Sequence, residues 1–293
     1  MLSFFRAIVL GLFQGVTELF PVSSLGHSVL LPAILGWDSL VSAQSKPESF
    51  FLAFLVALHV GTALALLVYF RDDWIKIVGG LLSSAKERRI TSPDARLGTL
   101  LIVATIPAGI VGVVFEHPLR TLFAKPTAAA IFLMVNGVIL FLGERLRRRV
   151  AAGAGYRGDG FTGGRSIESL GYGEALIIGI VQIGALFAGI SRSGITMVGG
   201  LLRGLSHESA ARFAFLLATP IILGAGVYKI PDLMGHLGDG IRGQALAGAV
   251  AAGIAAYIST RFLVRYFETR TLTPFAIYCL AAGGFCVVRF GIF

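Results

Sequence analysis

Glu18 is the first residue of the chain that could do chemistry in an unexpected place, because it lies within the apolar run of residues 7–20. An ionised carboxylate in apolar surroundings is costly unless a partner compensates its charge. Gln14 precedes Glu18 by one helical turn, so a helix would place both side chains on one face. The stretch therefore predicts a polar site on one side of an apolar helix.

A serine pair and a histidine follow directly. Pro21 and the pair Ser23 and Ser24 are expected to end the helix, and Gly26 permits a tight turn. His27 comes three residues after Ser24, so the two side chains share a face if this piece is helical. That arrangement is the one that a nucleophile and its base require.

A second polar cluster interrupts an apolar stretch in AGISRSGIT, residues 188–196. Glycines allow successive backbone N–H groups to converge on phosphate oxygens, hydroxyls add further donors, and a guanidinium can bind two oxygens at once. The pattern predicts a phosphate site formed by Ser191, Arg192, Ser193, Gly194 and Thr196, and Ser23 of the first cluster is expected to bind the same phosphate.

The elements that hold these clusters are apolar to a degree that soluble proteins do not reach. Of 293 residues, 55% are hydrophobic and 14% are charged, whereas ordinary domains carry about 25% charged residues. A bilayer needs roughly 20 apolar residues per helix, and six stretches approach or meet that length. They are residues 51–70, 97–115, 127–142, 213–227, 245–263 and 274–292. The chain is therefore predicted to be an all-α polytopic membrane protein.

The net charge of +9 does not indicate nucleic-acid binding, because the cations cluster between the predicted spans. Residues 71–96, 145–165 and 261–270 together carry fifteen Lys and Arg, against five in the other connections. Placing these three regions in the cytoplasm follows the positive-inside rule and orients all six spans without contradiction. Residues 51–70 then run inward and residues 213–227 run outward.

Two further apolar segments, residues 7–20 and 174–188, are too short to span, since about 15 residues reach only about 22 Å. They align at an offset of 168, which matches Gln14 with Gln182 and Ser23 with Ser191. We interpret the chain, residues 1–293, as one membrane domain with two repeats of opposite topology. Each repeat would begin with a re-entrant helical hairpin. The predicted parts are a first repeat at 1–150 with its hairpin at 7–35, a cytoplasmic Gly/Arg-rich connection at 151–172, and a second repeat at 173–293 with its hairpin at 174–205.

A purely structural role is the alternative interpretation of these polar residues. Small residues and Ser or Thr commonly pack membrane helices, and a lone Glu–Arg pair could only stabilise the bundle. The occurrence of both polar clusters at equivalent breaks favours function. His59 and Asn136, by contrast, are interpreted as hydrogen-bonded packing residues within spans, and His207 shows no metal-ligand spacing.

QGVTELFPVSSLGH at 14–27 and AGISRSGIT at 188–196 resemble the two signature regions of the bacterial undecaprenyl-diphosphatases, the UppP/BacA family, and TPFAIY at 273–278 is similar as well. The first signature is met by Gln14, Glu18, Pro21, Ser23, Ser24, Gly26 and His27. The second is met by Gly189, Ser191, Arg192, Ser193 and Thr196, with Ala188 in place of its leading proline. The resemblance covers nearly the whole chain.

The resemblance implies an enzyme of the inner membrane that hydrolyses undecaprenyl diphosphate, which recycles the lipid carrier of peptidoglycan synthesis and lowers bacitracin sensitivity. It implies that Glu18, assisted by Gln14, holds Mg²⁺ or Ca²⁺ on the diphosphate. Either Ser24 attacks with His27 as its base, or His27 attacks directly. A site open to the periplasm is expected, a homodimer is left open, and membrane lipids surround the chain. The alternative function is a transporter that moves the phosphorylated lipid through the same site.

Overall fold

The computed structural model describes residues 2–44, 49–90, 92–115, 125–153 and 163–291. These residues form α-helices, three short 3-10 turns and one isolated bridge between Arg165 and Leu205. The helices are α1 Phe4–Leu19, α2 Ser24–Ile34, α3 Asp38–Gln44, α4 Phe50–Tyr69, α5 Arg71–Glu87, α6 Pro93–Val114, α7 Pro126–Gly153, α8 Tyr172–Val181, α9 Arg192–Leu202, α10 His207–Met234, α11 Arg242–Thr269 and α12 Thr273–Gly291.

Six of these helices are long and apolar enough to cross a membrane, namely α4, α6, α7, α10, α11 and α12. The predicted all-α polytopic membrane protein is confirmed. Three of the helices are much longer than their apolar stretches: α7, α10 and α11 each have 28 residues. Hydropathy marks only the apolar part of a helix, and arginine is a good helix former, so the charged ends continue the helices past the apolar stretches.

The charged region at 71–96 is more ordered than its description as a connection between spans suggests. Residues Arg71–Glu87 form the 17-residue helix α5, with Asp72 and Asp73 in the first turn and Lys86 in the last. Acidic residues near the N-terminus and basic ones near the C-terminus complement the helix dipole. The charge pattern thus supports a helix as well as an orientation signal. Of the predicted 151–172 connection, residues 154–162 lie outside the described residues.

The two short apolar segments fold alike. In the first, α1 stops at Leu19 and α2 begins at Ser24; in the second, α8 continues as a 3-10 turn to Leu186 and α9 begins at Arg192. Ser23 and Ser191 are the N-cap residues of α2 and α9, and each hydroxyl accepts the N–H of the glycine three residues later. A capping hydroxyl satisfies one of the free N–H groups at a helix start. The re-entrant path through a bilayer stays a prediction.

Each of these segments packs against a helix of the opposite half, α1 on α11 and α8 on α6. A Cβ on Gly11 would collide with the carbonyl oxygen of Gly248, and a Cβ on Gly179 with that of Ala104. Gly11 and Gly179 are separated by the offset of 168, so equivalent glycines allow equivalent close helix contacts. This packing supports the predicted duplication, and the two helix breaks contact each other through Ser23 and Gly189.

Candidate active site

Glu18 is the centre of a buried hydrogen-bond network at the end of α1. Its Oε2 accepts from Gln14 Nε2 at 3.0 Å and from the hydroxyl of Ser24, and its Oε1 accepts from Arg192 Nη2. His59 Nε2 lies 3.4 Å from the same Oε2. The Glu18 side chain is 5% exposed and that of Arg192 is 15% exposed. The charge of the buried carboxylate is thus compensated by a cation from the other half of the chain.

The turn after α1 is held by Ser23, whose backbone has φ 70°. This left-handed conformation is uncommon for a residue with a side chain. The Ser23 hydroxyl accepts the N–H groups of Gly26 and Gly189, at 3.2 and 3.1 Å, which ties the two helix breaks together. A Cβ on Gly26 would meet the backbone of Gly189, and Gly189 itself has φ 116°. Both glycines are required for this close approach.

Asn136, in the middle of α7, joins the two breaks from a third side. Its Nδ2 donates to the carbonyl oxygen of Pro21 at 2.9 Å, and its Oδ1 accepts the N–H of Ser191 at 3.0 Å. The predicted hydrogen bonding across helices is confirmed for this residue. Its role is more specific than general packing, because its side-chain amide bonds to the backbone of both breaks and holds them next to each other.

A cavity of about 260 Å³ opens over this network. Its polar lining consists of Glu18, Ser23, Ser24, His59, Ser191 and Arg192. The remaining walls are apolar and come mainly from α4 and α10, including Leu52, Leu55, Val56, Ile221 and Ile222. His59 is the tenth residue of the 20-residue helix α4, so the polar floor lies about 15 Å from either end of that helix at 1.5 Å per residue.

The predicted anion site is only partly built as the sequence suggested. Ser191 and Arg192 line the cavity, and Arg192 Nη1 is buried with no hydrogen-bond partner among the described residues. Ser193 instead contacts the Ser191 hydroxyl at 3.1 Å, the Gly194 N–H is used by the cap, and Thr196 donates to Gln182 at 3.4 Å. The free donor for an anion is therefore the guanidinium, with the N-terminus of α9 behind it.

The expected pairing of Ser24 with His27 does not occur in the structure. Residues 24–34 are helical as expected, but the Ser24 hydroxyl points back to Glu18. His27 Nδ1 lies 2.7 Å from the Ser23 carbonyl oxygen, and His27 Nε2 lies 2.7 Å from the Tyr278 hydroxyl. Because α2 begins at Ser24, its first side chain faces α1 while His27 turns toward α12. The base that contacts Ser24 is Glu18.

Two residues of the site were missed or undervalued in the sequence. His59 was interpreted as a packing residue, whereas it faces Glu18 and lines the cavity. Tyr278, whose hydroxyl contacts His27 Nε2, lies outside the predicted site residues and ends the TPFAIY stretch of the family resemblance. A single histidine within an apolar helix has no spacing signal of its own. Only its helix position opposite the Glu18 segment could have identified it.

The donor set around Glu18 limits how a metal ion could be held. No group of three or more His, Cys, Asp or Glu residues suited to a metal occurs in the described part of the chain. Both Glu18 oxygens already accept hydrogen bonds, while Gln14 Oε1 is a buried acceptor without a partner. Mg²⁺ often has few protein ligands and shares its remaining positions with substrate phosphates and water. These residues fit a cation shared with a substrate, and not one held by the protein alone.

Fold and site together define a polytopic α-helical membrane protein in which a carboxylate, a serine and an arginine meet at two helix breaks beside the middle of α4. The family model described as "Bacitracin resistance protein BacA" matches residues 7–285, and the chain belongs to this family. It is 56% identical to an undecaprenyl-diphosphatase of Mycolicibacterium paratuberculosis over 98% of this chain and 97% of the relative. It is 52% identical to undecaprenyl-diphosphatase 2 of Frankia alni over 99% of both. It shares 47% identity with an undecaprenyl-diphosphatase of Acidiphilium cryptum over 96% of both.

Proposed function

We propose that this protein is a membrane hydrolase that converts undecaprenyl diphosphate to undecaprenyl phosphate and inorganic phosphate. The observation that carries the proposal is the cavity in which a serine hydroxyl, a carboxylate and a guanidinium meet beneath apolar walls. The relatives that match nearly the full length are named undecaprenyl-diphosphatases. A substrate with a long apolar chain and an anionic head requires a site of this composition.

Ser24 is the proposed nucleophile, because its hydroxyl lines the cavity and donates to Glu18. The Ser24 Oγ attacks the terminal phosphorus as its proton passes to Glu18 Oε2, and the bond to the bridging oxygen breaks. The lipid phosphate leaves with that bonding pair. Water then attacks the phosphorus, the bond to Ser24 Oγ breaks, Glu18 returns its proton to Oγ, and inorganic phosphate departs with both protons of the water. Arg192 keeps Nη2 on Glu18 and offers the unpartnered Nη1 to the transferring phosphoryl group, where negative charge is greatest.

The apolar walls suit the first isoprene units of the lipid. Leu52, Leu55 and Val56 of α4 face Ile221 and Ile222 of α10 across the cavity. Burial of apolar surface contributes roughly 25 cal/mol per Å², and this contribution is independent of the reaction. The walls also exclude water from the charged groups, which strengthens their electrostatic interactions.

A divalent cation, Mg²⁺ or Ca²⁺, remains part of the proposal as a ligand shared with the diphosphate. Such a cation would neutralise phosphate charge when it is bound. Gln14 would contribute its free Oε1, and Glu18 would contribute an oxygen only after one of its present donors moved. Removal of divalent cations by a chelator is therefore expected to raise the KM for the diphosphate.

We further propose that the protein resides in the bacterial inner membrane with its cavity open to the periplasm. The fifteen Lys and Arg of residues 71–96, 145–165 and 261–270 support cytoplasmic placement of these regions. In that orientation α4 starts at the periplasmic side. A homodimer stays a prediction from the sequence.

The test is phosphate release from undecaprenyl diphosphate by purified protein in detergent, with and without Mg²⁺ or Ca²⁺. We expect release by the unaltered protein and a decrease in kcat of about 10² to 10³ in Arg192→Ala, as for loss of a group that stabilises transition-state charge. Arg203→Ala is the matched control, because Arg203 follows the other end of the same helix; it should remain within about twofold of the unaltered protein.

Retained turnover in Arg192→Ala would contradict the assigned role of the guanidinium. Absence of release from well-folded unaltered protein would contradict the phosphatase and favour the transporter. Detergent separates these two functions, because a micelle has no second compartment into which a lipid could be moved.

A further inference from the structure

His27 is a buried histidine that the proposed reaction does not use. It does not line the cavity over Glu18. Its Nδ1 lies 2.7 Å from the carbonyl oxygen of Ser23, and its Nε2 lies 2.7 Å from the Tyr278 hydroxyl. The two ring nitrogens therefore contact a backbone carbonyl and a tyrosine, and neither contacts a group that reacts.

The direction of these two hydrogen bonds follows from the atoms involved. A carbonyl oxygen only accepts, so His27 Nδ1 carries a proton and donates it to Ser23. With the ring neutral, Nε2 is an acceptor, and the Tyr278 hydroxyl donates to it. The two rings also stack, with their planes 12° apart. A chain of mutually strengthening hydrogen bonds thus runs from α12 through α2 to the peptide between Ser23 and Ser24.

That peptide follows a residue with an unusual backbone conformation. Ser23 has φ 70° and ψ 100°, outside the regions that residues with a side chain normally adopt. Such a conformation persists only where the surrounding contacts hold it. The Ser23 carbonyl accepts both the His27 Nδ1 proton and the His27 backbone N–H, the latter at 3.1 Å. Because Ser24 comes next, the orientation of this peptide determines where its hydroxyl lies relative to Glu18.

Tyr278 reaches the first helix break from outside the cavity. It belongs to the span α12, and it lines a separate apolar groove together with Phe13, Phe20 and Phe275. A phenol hydroxyl in apolar surroundings is costly without a hydrogen-bond partner. The partner here is His27 Nε2, so the hydroxyl joins α12 to α2.

We propose that Tyr278 is a positioning residue of this reaction, which keeps Ser24 aimed at Glu18 by holding His27 on the Ser23 carbonyl. The proposal rests on the phosphatase function. Neither Tyr278 nor His27 touches the substrate or transfers a proton. Loss of their contact lets the Ser23 backbone relax toward negative φ, and a misplacement of about 1 Å lowers a rate by about 10². Substrate binding does not depend on this turn, so kcat should fall while the KM stays within about twofold.

Substitutions at position 27 separate positioning from proton transfer. Asparagine can place an amide N–H close to the position of Nδ1 and can donate it to the Ser23 carbonyl, whereas alanine cannot. His27→Asn is therefore expected to keep kcat within about tenfold of the unaltered protein, while His27→Ala should lower it by about 10². Proton transfer by His27 predicts instead that both variants lose activity alike, because neither side chain titrates.

The closing experiment removes the Tyr278 hydroxyl in two backgrounds and measures phosphate release from undecaprenyl diphosphate in detergent. In the unaltered protein, Tyr278→Phe leaves His27 Nε2 without a donor and should lower kcat about tenfold, the scale of one buried group left unpaired. In His27→Asn no atom occupies the Nε2 position, so the same substitution should change kcat by less than about twofold.

Tyr257→Phe is the matched control, because Tyr257 is as exposed as Tyr278, at 41% against 44%, and contacts Tyr69. It does not line the cavity, and its kcat should stay within about twofold of the unaltered protein. All rates are taken per folded protein, measured as the monodisperse fraction in size-exclusion chromatography.

Equal effects of Tyr278→Phe in both backgrounds would overturn the proposal, because the hydroxyl would then act without His27. So would a His27→Asn protein as inactive as His27→Ala. A Tyr278→Phe protein that is less stable but turns over at the unaltered rate would reduce the contact to a structural one and overturn the proposal as well. If the unaltered protein releases no phosphate, the proposed function fails before this question arises, and the two failures are thereby distinguished.

Discussion

The first and second helix breaks have the same backbone plan and carry different chemistry. Each break is preceded by a buried glutamine, Gln14 or Gln182, and each is followed by a helix with a serine N-cap. At the offset of 168, however, Glu18 corresponds to Leu186 and Ser24 corresponds to Arg192. The carboxylate and the nucleophile belong to one break, and the cation belongs to the other.

This difference indicates how the two repeats form one site together. Two identical repeats would not supply both a carboxylate and a cation to it. Two carboxylates meeting at the centre would repel each other, and two guanidinium groups would do the same. With one of each, Glu18 and Arg192 compensate each other's burial and leave Nη1 of Arg192 for an anion. The shared geometry holds the breaks together, while the unshared residues act on the substrate.

The largest effect on activity is expected from Ser24 of the first break, because this serine contacts the Glu18 carboxylate and the second break has no equivalent contact. Ser24→Ala removes the proposed nucleophile and should lower kcat by at least about 10³, as for other nucleophile deletions. Ser193→Ala is the matched comparison from the second break, because Ser193 is a buried hydroxyl that contacts Ser191 and not the cavity. It should lose less than about tenfold.

These activities are measured as phosphate release from undecaprenyl diphosphate in detergent. If Ser24→Ala and Ser193→Ala lowered kcat by similar factors, serines of both breaks would take part in the reaction. That result would contradict the division of roles described above.

A smaller effect is expected from the glycines that the halves have in common. Gly11→Ala and Gly179→Ala each place a methyl group against a helix carbonyl oxygen of the opposite half, and overpacking of this kind costs about 1 to 3 kcal/mol. Thermal unfolding in detergent should show both variants destabilised by similar amounts. Gly79→Ala is the control, since a Cβ on Gly79 meets nothing within 4 Å, and there alanine should be neutral or stabilising.

A large difference between the Gly11 and Gly179 variants would mean that the two helix contacts are not equivalent. The proposed duplication would then have to rest on the loops and the helix caps alone.

Hydropathy and charge predicted most of the fold, because they depend on averages over many residues. The six spans and both helix breaks follow from segment length, glycine, proline and serine positions. Helix ends did not follow, since α7 and α11 continue through arginine-rich sequence that hydropathy treats as loop. A hydropathy average identifies the apolar part of a helix but does not predict the residue at which the helix ends.

The sequence predicted the site residues that belong to the two polar clusters, including Arg192, which is far from Glu18 along the chain. Gln14 lies one helical turn before Glu18, and Ser24 follows Glu18 across the helix break; both donate to the Glu18 carboxylate. His59 and Tyr278 enter through tertiary packing of α4 and α12, and no local pattern marks them. The Ser24–His27 pairing was wrongly predicted although the two residues are close in the sequence. Helix periodicity predicts that they share a face, but Ser24 contacts Glu18 and His27 contacts Tyr278.

The smallest and most specific test concerns the two capping serines. Loss of an N-cap hydroxyl costs about 0.5 to 2 kcal/mol, so Ser23→Ala and Ser191→Ala should both lower the unfolding midpoint. Ser23→Ala should cost more, because it also leaves the N–H of Gly189 without its acceptor. The glycine variants refine the comparison: Ser23 has φ 70°, which glycine adopts readily, whereas Ser191 has φ −80°.

The stability gap between the glycine and alanine variants should therefore be wider at position 23 than at position 191. Equal gaps would show that the positive φ of Ser23 carries no cost of its own. In that case the hydrogen bonds of the Ser23 hydroxyl alone would stabilise the first break. Its backbone conformation would then cost no more free energy than that of the second break.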